Sequence, residues 1–176
     1  TPMNSSAASD VYKRQYTCGV NFNQKDVLDK SVKIVKTNRG GKITWHGPGQ
    51  LICYFVLDIS KRKKDIRKFI TAIENSIIET LKDFNISSFS DRKNIGIWVL
   101  DRKQEKKIAA IGFRVKKWIA FHGFSINLSN NLNSYKKIVP CGILDKGISK
   151  VENFKNISKN KIIDTLKKKL IKNLKY

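Results

Sequence analysis

Cysteine is sparse in this chain and shows no paired spacing. Cys18, Cys53 and Cys141 are an odd count without a CxxC step, which argues against a disulfide framework and fits a reducing compartment. With only His46 and His122 beside them, ligands for a zinc site are too few, and no metal is expected. There is no P-loop and no GxGxxG fingerprint, so the usual phosphate-cradling loops are missing. No apolar run approaches the roughly 18 residues that span a bilayer, and the first residues lack the basic-then-apolar pattern of an export signal. A cytoplasmic location is the expectation.

Acidic residues are also few: 14 Asp and Glu stand against 36 Lys and Arg, for a net charge of +22. Such a field attracts acidic partners without naming them. Of the basic residues 29 are Lys and seven are Arg, and the chain also holds 23 Ile and 15 Asn. All three abundant types use A/T-rich codons, so base bias accounts for much of the charge. An acidic protein partner is the next reading. A nucleic-acid-binding module ranks below it, because the charge is Lys-dominated and no RNP-like mixture of aromatic and basic residues is present.

The 176 residues, 40% apolar and 28% charged, suit one globular domain. Residues 1–15 are small, polar and unpatterned and read as a disordered or non-native leader. Further on, VKIVKT, KITWH and QLICYFVLDI read as strands, the last apolar enough for a central strand covered on both faces. Between Asp65 and Phe84 the apolar residues recur at three and four, the mark of an amphipathic helix. GIWVLDRK, KKIAAIGFRVKK and WIAFHGFSINL follow as a meander of strands. A second helix runs from about Ser158, its N-cap, to Leu174. The expected fold is an α/β domain with a mixed sheet and flanking helices.

Four glycines and a proline crowd the segment Arg39 to Gln50 (RGGKITWHGPGQ), beside strand-like sequence. Such a cluster is kept where backbone turns sharply or touches a ligand. Cys141, between Pro140 and Gly142, sits in a turn that presents its sulfur, whereas Cys53 in LICYFV reads as a small core residue. A reactive thiol needs a cation beside its thiolate. Lys107, at the head of KIAAIG, is the candidate, against the plainer reading of an exposed lysine in a charged turn. His46 and His122 each precede a glycine and read as general bases or as satisfied core histidines. Arg39 reads as an anion or carbonyl ligand or as a surface residue.

RGGKITWHGPGQ (39–50), KIAAIGFRV (107–115), FHGFSINL (121–128) and IVPCGI (138–143) together resemble, in order and spacing, the octanoyltransferases of lipoate biosynthesis, the LipB family. The resemblance covers roughly Tyr16 to Phe154. It implies a lipoate/biotin protein ligase-like fold, and an enzyme that moves an octanoyl group from acyl carrier protein to a lysine of a lipoyl domain, in a 2-oxoacid dehydrogenase E2 subunit or the glycine cleavage H protein. Cys141 would be the acyl-thioester nucleophile. Lys107 would stabilise its thiolate and move protons. The implied substrate-binding stretches are Arg39, Gly40, Gly41, Lys42, Ile43, Thr44, Trp45 and His46; Ala110, Ile111 and Gly112; and Gly123, Phe124 and Ser125. No ATP and no other cofactor is implied, since the donor is already a thioester. An ATP-dependent lipoate or biotin ligase on the same fold is the enzymatic rival. Family members carry several dozen residues before the match to Tyr16–Gly19, so the chain reads as an N-terminally incomplete member, with an inactive fragment as a further alternative. A monomer is expected.

Overall fold

Both helices form where the apolar spacing places them. In the computed structural model, which describes residues 14–143 and 146–175, α1 spans Ile66–Asp83 and α2 spans Lys159–Asn173. The Asp65 carboxylate accepts the Lys68 N–H and the Ser158 hydroxyl accepts the Lys161 N–H, each cap worth about 1 kcal/mol. Helix α1 buries Phe69, Ile73, Ile77 and Leu81, and α2 buries Ile162, Leu166 and Leu170.

Among the described residues, nine strands form two sheets. The smaller contains β1 (Gln15–Cys18), β2 (Ile34–Lys36) and β3 (Ile43–His46), with β1 in the middle, parallel to β2 and antiparallel to β3. The larger contains β4 (Gln50–Asp58), β5 (Phe89–Ser90), β6 (Ile97–Asp101), β7 (Gln104–Lys116), β8 (Ile119–Asn127) and β9 (Gly147–Ile148). Its order is β4-β8-β7-β6-β5, with β9 parallel beside β7. The expected meander is the antiparallel run β6, β7 and β8. Residues 1–13 of the expected leader lie outside the described residues, but Gln15, assigned to it, is the first residue of β1 and pairs with His46.

The helices cover one face of the large sheet, where Leu51, Phe55, Ile97, Phe124 and Ile126 join them in the main core. A second core of Cys18, Ile43, Trp45, Tyr135 and Ile138 ties the small sheet to the segment leading to Cys141. One expectation fails here. QLICYFVLDI is an edge strand, not a central one, for among the described residues β4 pairs only with β8. Leu51 and Phe55 enter the helix-side core while Tyr54 and Val56 are exposed. Because those outward residues are themselves apolar, the two-residue period of a one-sided strand is invisible in the sequence.

Candidate active site

Two of the predicted site stretches face each other across adjacent strands. Ala110 pairs with Ser125, Ile111 with Phe124 and Gly112 with Gly123 in the β7–β8 ladder. Paired residues share a face, and faces alternate along a strand. Ile111 and Phe124 therefore pack into the helix-side core, although both also border the cleft. Ala110, Gly112, Gly123 and Ser125 floor the opposite face. Gly123 is required by close approach: a Cβ there would collide with the carbonyl oxygen of Cys53 on β4. Gly123→Ala should therefore cost about 1–3 kcal/mol, by analogy with overpacking in a close-packed interior, read as a lower urea midpoint at unchanged slope.

Above this floor lies a cleft of about 780 Å³, with the small sheet and the 37–42 loop as its other wall. Arg39, Gly40, Gly41, Lys42, Thr44 and His46 line it. Ile43 and Trp45, predicted with them, do not: their side chains are 0% and 3% exposed in the second core. Alternation along β3 explains the split, since its even-numbered residues face the cleft and its odd ones face away. The Arg39 guanidinium is committed within the wall, donating from Nη1 to the Gly40 carbonyl and from Nη2 to the Thr17 carbonyl and hydroxyl.

Cys141 reaches the cleft from a 3-10 turn, Pro140–Gly142. Its φ of 58° places it in the left-handed region, uncommon for a residue with a Cβ and typical of strained functional turns. The segment before the turn is well anchored. Ile138 and Tyr135 are buried, and the Val139 N–H donates to the Asp26 carbonyl at 2.7 Å. The Lys42 side chain lies where a Cβ on Gly142 would stand, so the glycine lets that lysine pass beside Cys141.

Lys107 is brought to the same cleft by an irregularity in pairing. Ile97 pairs with Ala109 but Trp98 with Lys107, leaving Ile108 as an extra residue in β7. A bulge of one residue inverts the parity of the strand beyond it. Strict alternation from the core residue Ala109 would send Lys107 under the helices; the bulge sends it to the cleft face with Ala110 and Gly112. Lys107 is 4% exposed. Its Nζ donates to the Ile95 carbonyl at 3.0 Å and stands 4.8 Å from the Trp98 ring centroid. No carboxylate among the described residues pairs with it. The reading of Lys107 as one more exposed turn lysine fails. Lys107 and Cys141 also line a small recess behind the cleft with Thr44, Ser125 and Tyr135. The cleft carries Arg39, Lys42, Lys93, Lys107 and Arg114, and no Asp or Glu among its described lining residues. The cleft that Cys141 enters is thus lined by positive charge.

Both histidines are hydrogen-bonded within the walls of the cleft. Nδ1 of His46 donates to Gln50 Oε1 at 3.2 Å. Burial, opposed by this hydrogen bond and reinforced by Arg39, pushes the ring down to about 4, so it is neutral at pH 7. His122, at φ 70°, shares a 2.6 Å hydrogen bond between Nε2 and Asn38 Oδ1 and is also lowered, chiefly by burial and then by Arg39 and Arg114. Because the folded-state pKa of His46 lies below the unfolded value near 6.5, the unfolded chain binds the additional proton between about pH 6.5 and 4. Stability should fall with pH through that window, by at most about 1.4 kcal/mol per pH unit from this group. Urea titrations of His46→Gln alongside the parent should show a shallower pH slope in the variant.

Gln50, Asn127 and Tyr135 escaped the sequence reading as site residues. Gln50 Nε2 donates to Asn127 Oδ1 and to the Tyr135 hydroxyl at 2.9 and 2.8 Å, while its Oε1 accepts from His46. This buried network joins the HGPGQ turn, the end of β8 and the segment before Cys141. Gln50 closes the glycine-rich motif and was within reach of the sequence; Tyr135 stands in NSYKK, where nothing marks it. Cys53 reads as expected, half-buried at the core margin with burial pushing its thiol up to about 11.

Two sheets thus enclose a cation-lined cleft in an α/β domain. A solved structure with the same architecture is the bipartite lipoate protein ligase of Thermoplasma acidophilum, with a TM-score of 0.70 at 13% identity, over 92% of this chain and 68% of that one. The chain belongs to the family described as the lipoyl protein ligase A/B catalytic domain, which matches residues 13–175. Among its relatives are the octanoyltransferase of Wolbachia pipientis subsp. Culex pipiens, 46% identical over 138 residues, and that of Bartonella bacilliformis, 48% identical over 144. The matches cover 78% and 76% of this chain and 67% and 60% of those proteins. The chain thus spans about two thirds or less of the length of these relatives.

Proposed function

We propose that this protein is an octanoyltransferase that passes an octanoyl group from acyl carrier protein to a lipoyl-domain lysine through Cys141. The observation that carries the reading is the convergence of a turn-borne cysteine and a buried, carboxylate-free lysine on one cleft. In the first half-reaction the Cys141 sulfur, having given its proton towards Lys107, attacks the thioester carbonyl. A new C–S bond forms, the bond to the carrier's thiol breaks, and that thiol leaves with a proton. In the second, the acceptor lysine's neutral amine attacks, a C–N bond forms and the C–S bond to Cys141 breaks. The proton lost by the attacking nitrogen returns to the thiolate by way of Lys107.

Cations around Cys141 stabilise the tetrahedral oxyanion of both steps. Apolar lining residues such as Ile52, Ile111 and Ile143 would hold the eight-carbon tail. The acceptors are lipoyl domains of 2-oxoacid dehydrogenase E2 subunits or of the glycine cleavage H protein, and the positive surface suits acidic partners. Residues 16–176 form the catalytic domain in this reading, and it acts in the cytoplasm; no described helix is long and apolar enough to cross a membrane. The test is transfer of octanoate from octanoyl carrier protein to an apo lipoyl domain in the absence of nucleotide. Transfer at equal rates with and without ATP is expected. Transfer only with ATP and free octanoate would identify a ligase instead.

A further inference from the structure

The mechanism above gives no part to Lys146, which stands outside the cleft, directly before β9, in the segment that follows Cys141. Its Nζ donates to Glu105 Oε2 at 2.6 Å and pairs with Asp91 Oδ2 at 3.5 Å. The same ammonium lies 4.7 Å from the Trp98 ring centroid, and that of Lys107 lies 4.8 Å from it. Two lysines thus share one buried indole. A lone exposed ion pair contributes little. This one joins two carboxylates and a ring, and the Lys146 and Asp91 side chains are only 20% and 22% exposed.

Each contact of Lys146 leads back to Lys107. Asp91 opens the loop that ends at the Lys107 ammonium. Its carboxylate accepts from the Lys93 N–H and the Asn94 side chain at 2.9 and 2.8 Å. The Asn94 carbonyl then accepts from Trp98 Nε1 at 2.9 Å, and the Ile95 carbonyl accepts from Lys107 Nζ at 3.0 Å. Glu105 stands on β7, the strand of Lys107 itself. Beyond Lys146, Gly147 and Ile148 pair with Lys106 and Lys107, and the Ser149 N–H donates to the Lys107 carbonyl at 2.9 Å. These backbone bonds fix where Lys107 sits on the sheet. The aim of its long, flexible side chain is set instead by the Ile95 carbonyl and the Trp98 ring.

We propose that Lys146 is a positioning residue for Lys107. By joining Asp91 and Glu105 beside Trp98, it ties the Asp91–Ile95 loop to the segment that carries Cys141 and so holds the ammonium towards the thiol. The inference rests on the Cys141–Lys107 chemistry proposed above. Among the ion pairs of the described residues, Lys146 is the cation that both carboxylates share. Without it they repel, and the loop with its Ile95 carbonyl is free to move off β7. A side chain whose support is loosened loses its aim before the fold loses its stability.

The test compares Lys146→Met, which keeps a side chain of similar length on Trp98 without its charge, with Lys146→Arg, which keeps the charge and can still stack on the ring. Lys107→Met and the Lys146→Met/Lys107→Met double variant complete the set. Iodoacetamide labelling of the Cys141 peptide across neutral pH is followed by mass spectrometry, with kcat and KM for octanoyl transfer and a thermal melt for each variant. Lys146→Met should label and turn over about fivefold more slowly than the parent at unchanged KM, the size of a small ion-pair network. Lys146→Arg should stay within about twofold of the parent. Lys107→Met should label at least about tenfold more slowly. Because Lys146 acts through Lys107, the double variant should label within about 1.5-fold of Lys107→Met. Glu105→Gln, which loosens the same triad from its more exposed end, should slow labelling about two- to threefold and carries the test if Lys146→Met folds poorly. The inference is overturned if the charge-removing variants match the parent, if Lys146→Arg is impaired as much as Lys146→Met, or if the double variant is about fivefold slower than Lys107→Met. A loss confined to the melt or to KM would make Lys146 a packing or docking residue and also overturn it. A Lys107→Met protein that labels at the parental rate would instead remove the underlying chemistry, and the inference with it.

Discussion

Cys141→Ser should lower octanoyl transfer by at least about a thousandfold while leaving the melt nearly unchanged. The magnitude follows from what serine lacks. At neutral pH its hydroxyl supplies almost no anion, and replacing a nucleophile in a covalent route removes the route. The substitution removes no packing of consequence. Cys141 is half-buried in a turn anchored by Val139 and by the Tyr135 network, and serine occupies nearly the same volume in the same left-handed conformation. A fall in activity with no fall in stability therefore isolates chemistry from folding. Cys53→Ala gives the contrast. Its thiol is suppressed by burial and lies at the margin of the main core, so it should affect the melt and spare transfer. Steady-state rates at saturating donor, with urea midpoints for both variants, check the pair.

Lys107→Met should lower kcat by about 10²- to 10⁴-fold, the usual contribution of a positioned proton-transfer group. Methionine preserves most of the side-chain volume beside Trp98, so no large cavity opens under β7. The change removes the ammonium, its hydrogen bond to Ile95 and the cation–π contact. Both half-reactions should suffer, because each needs a proton moved at Cys141. Single-turnover acylation and deacylation, measured separately, should both slow. A defect confined to deacylation would assign Lys107 to the acceptor amine alone.

The parts of this molecule that were legible in the sequence are those governed by local rules. The spacing of Phe69, Ile73, Ile77 and Leu81 announces α1, and Asp65 and Ser158 mark the starts of both helices through hydrogen bonds made within one turn. Glycine positions were legible as well, because a missing Cβ has few explanations: Gly123 lies against the Cys53 carbonyl and Gly40 against that of Phe113. What escaped was non-local. The place of β4 at the sheet edge depends on which strands find it, and exposed Val56 and Tyr54 hide its alternation. The half of KITWH that turns away from the cleft is set by pairing with β1, so Ile43 and Trp45 were grouped with the site that their neighbours form. The bulge at Ile108 is the most consequential omission. Without it, the pattern KIAAIG places Lys107 on the wrong face of β7, and the resemblance to a family was needed to set that candidate above the plainer reading of an exposed turn lysine.

The central claim is a covalent octanoyl–Cys141 intermediate, and mass spectrometry of the protein after incubation with octanoyl carrier protein, without acceptor, tests it most directly. The account predicts one added octanoyl group per chain, mapped to the peptide containing Cys141 and released by neutral hydroxylamine as a thioester. Addition of an apo lipoyl domain should then discharge it onto the acceptor lysine. An unmodified Cys141 during active transfer, or the octanoyl group mapped to Cys18, Cys53 or a lysine, would contradict it.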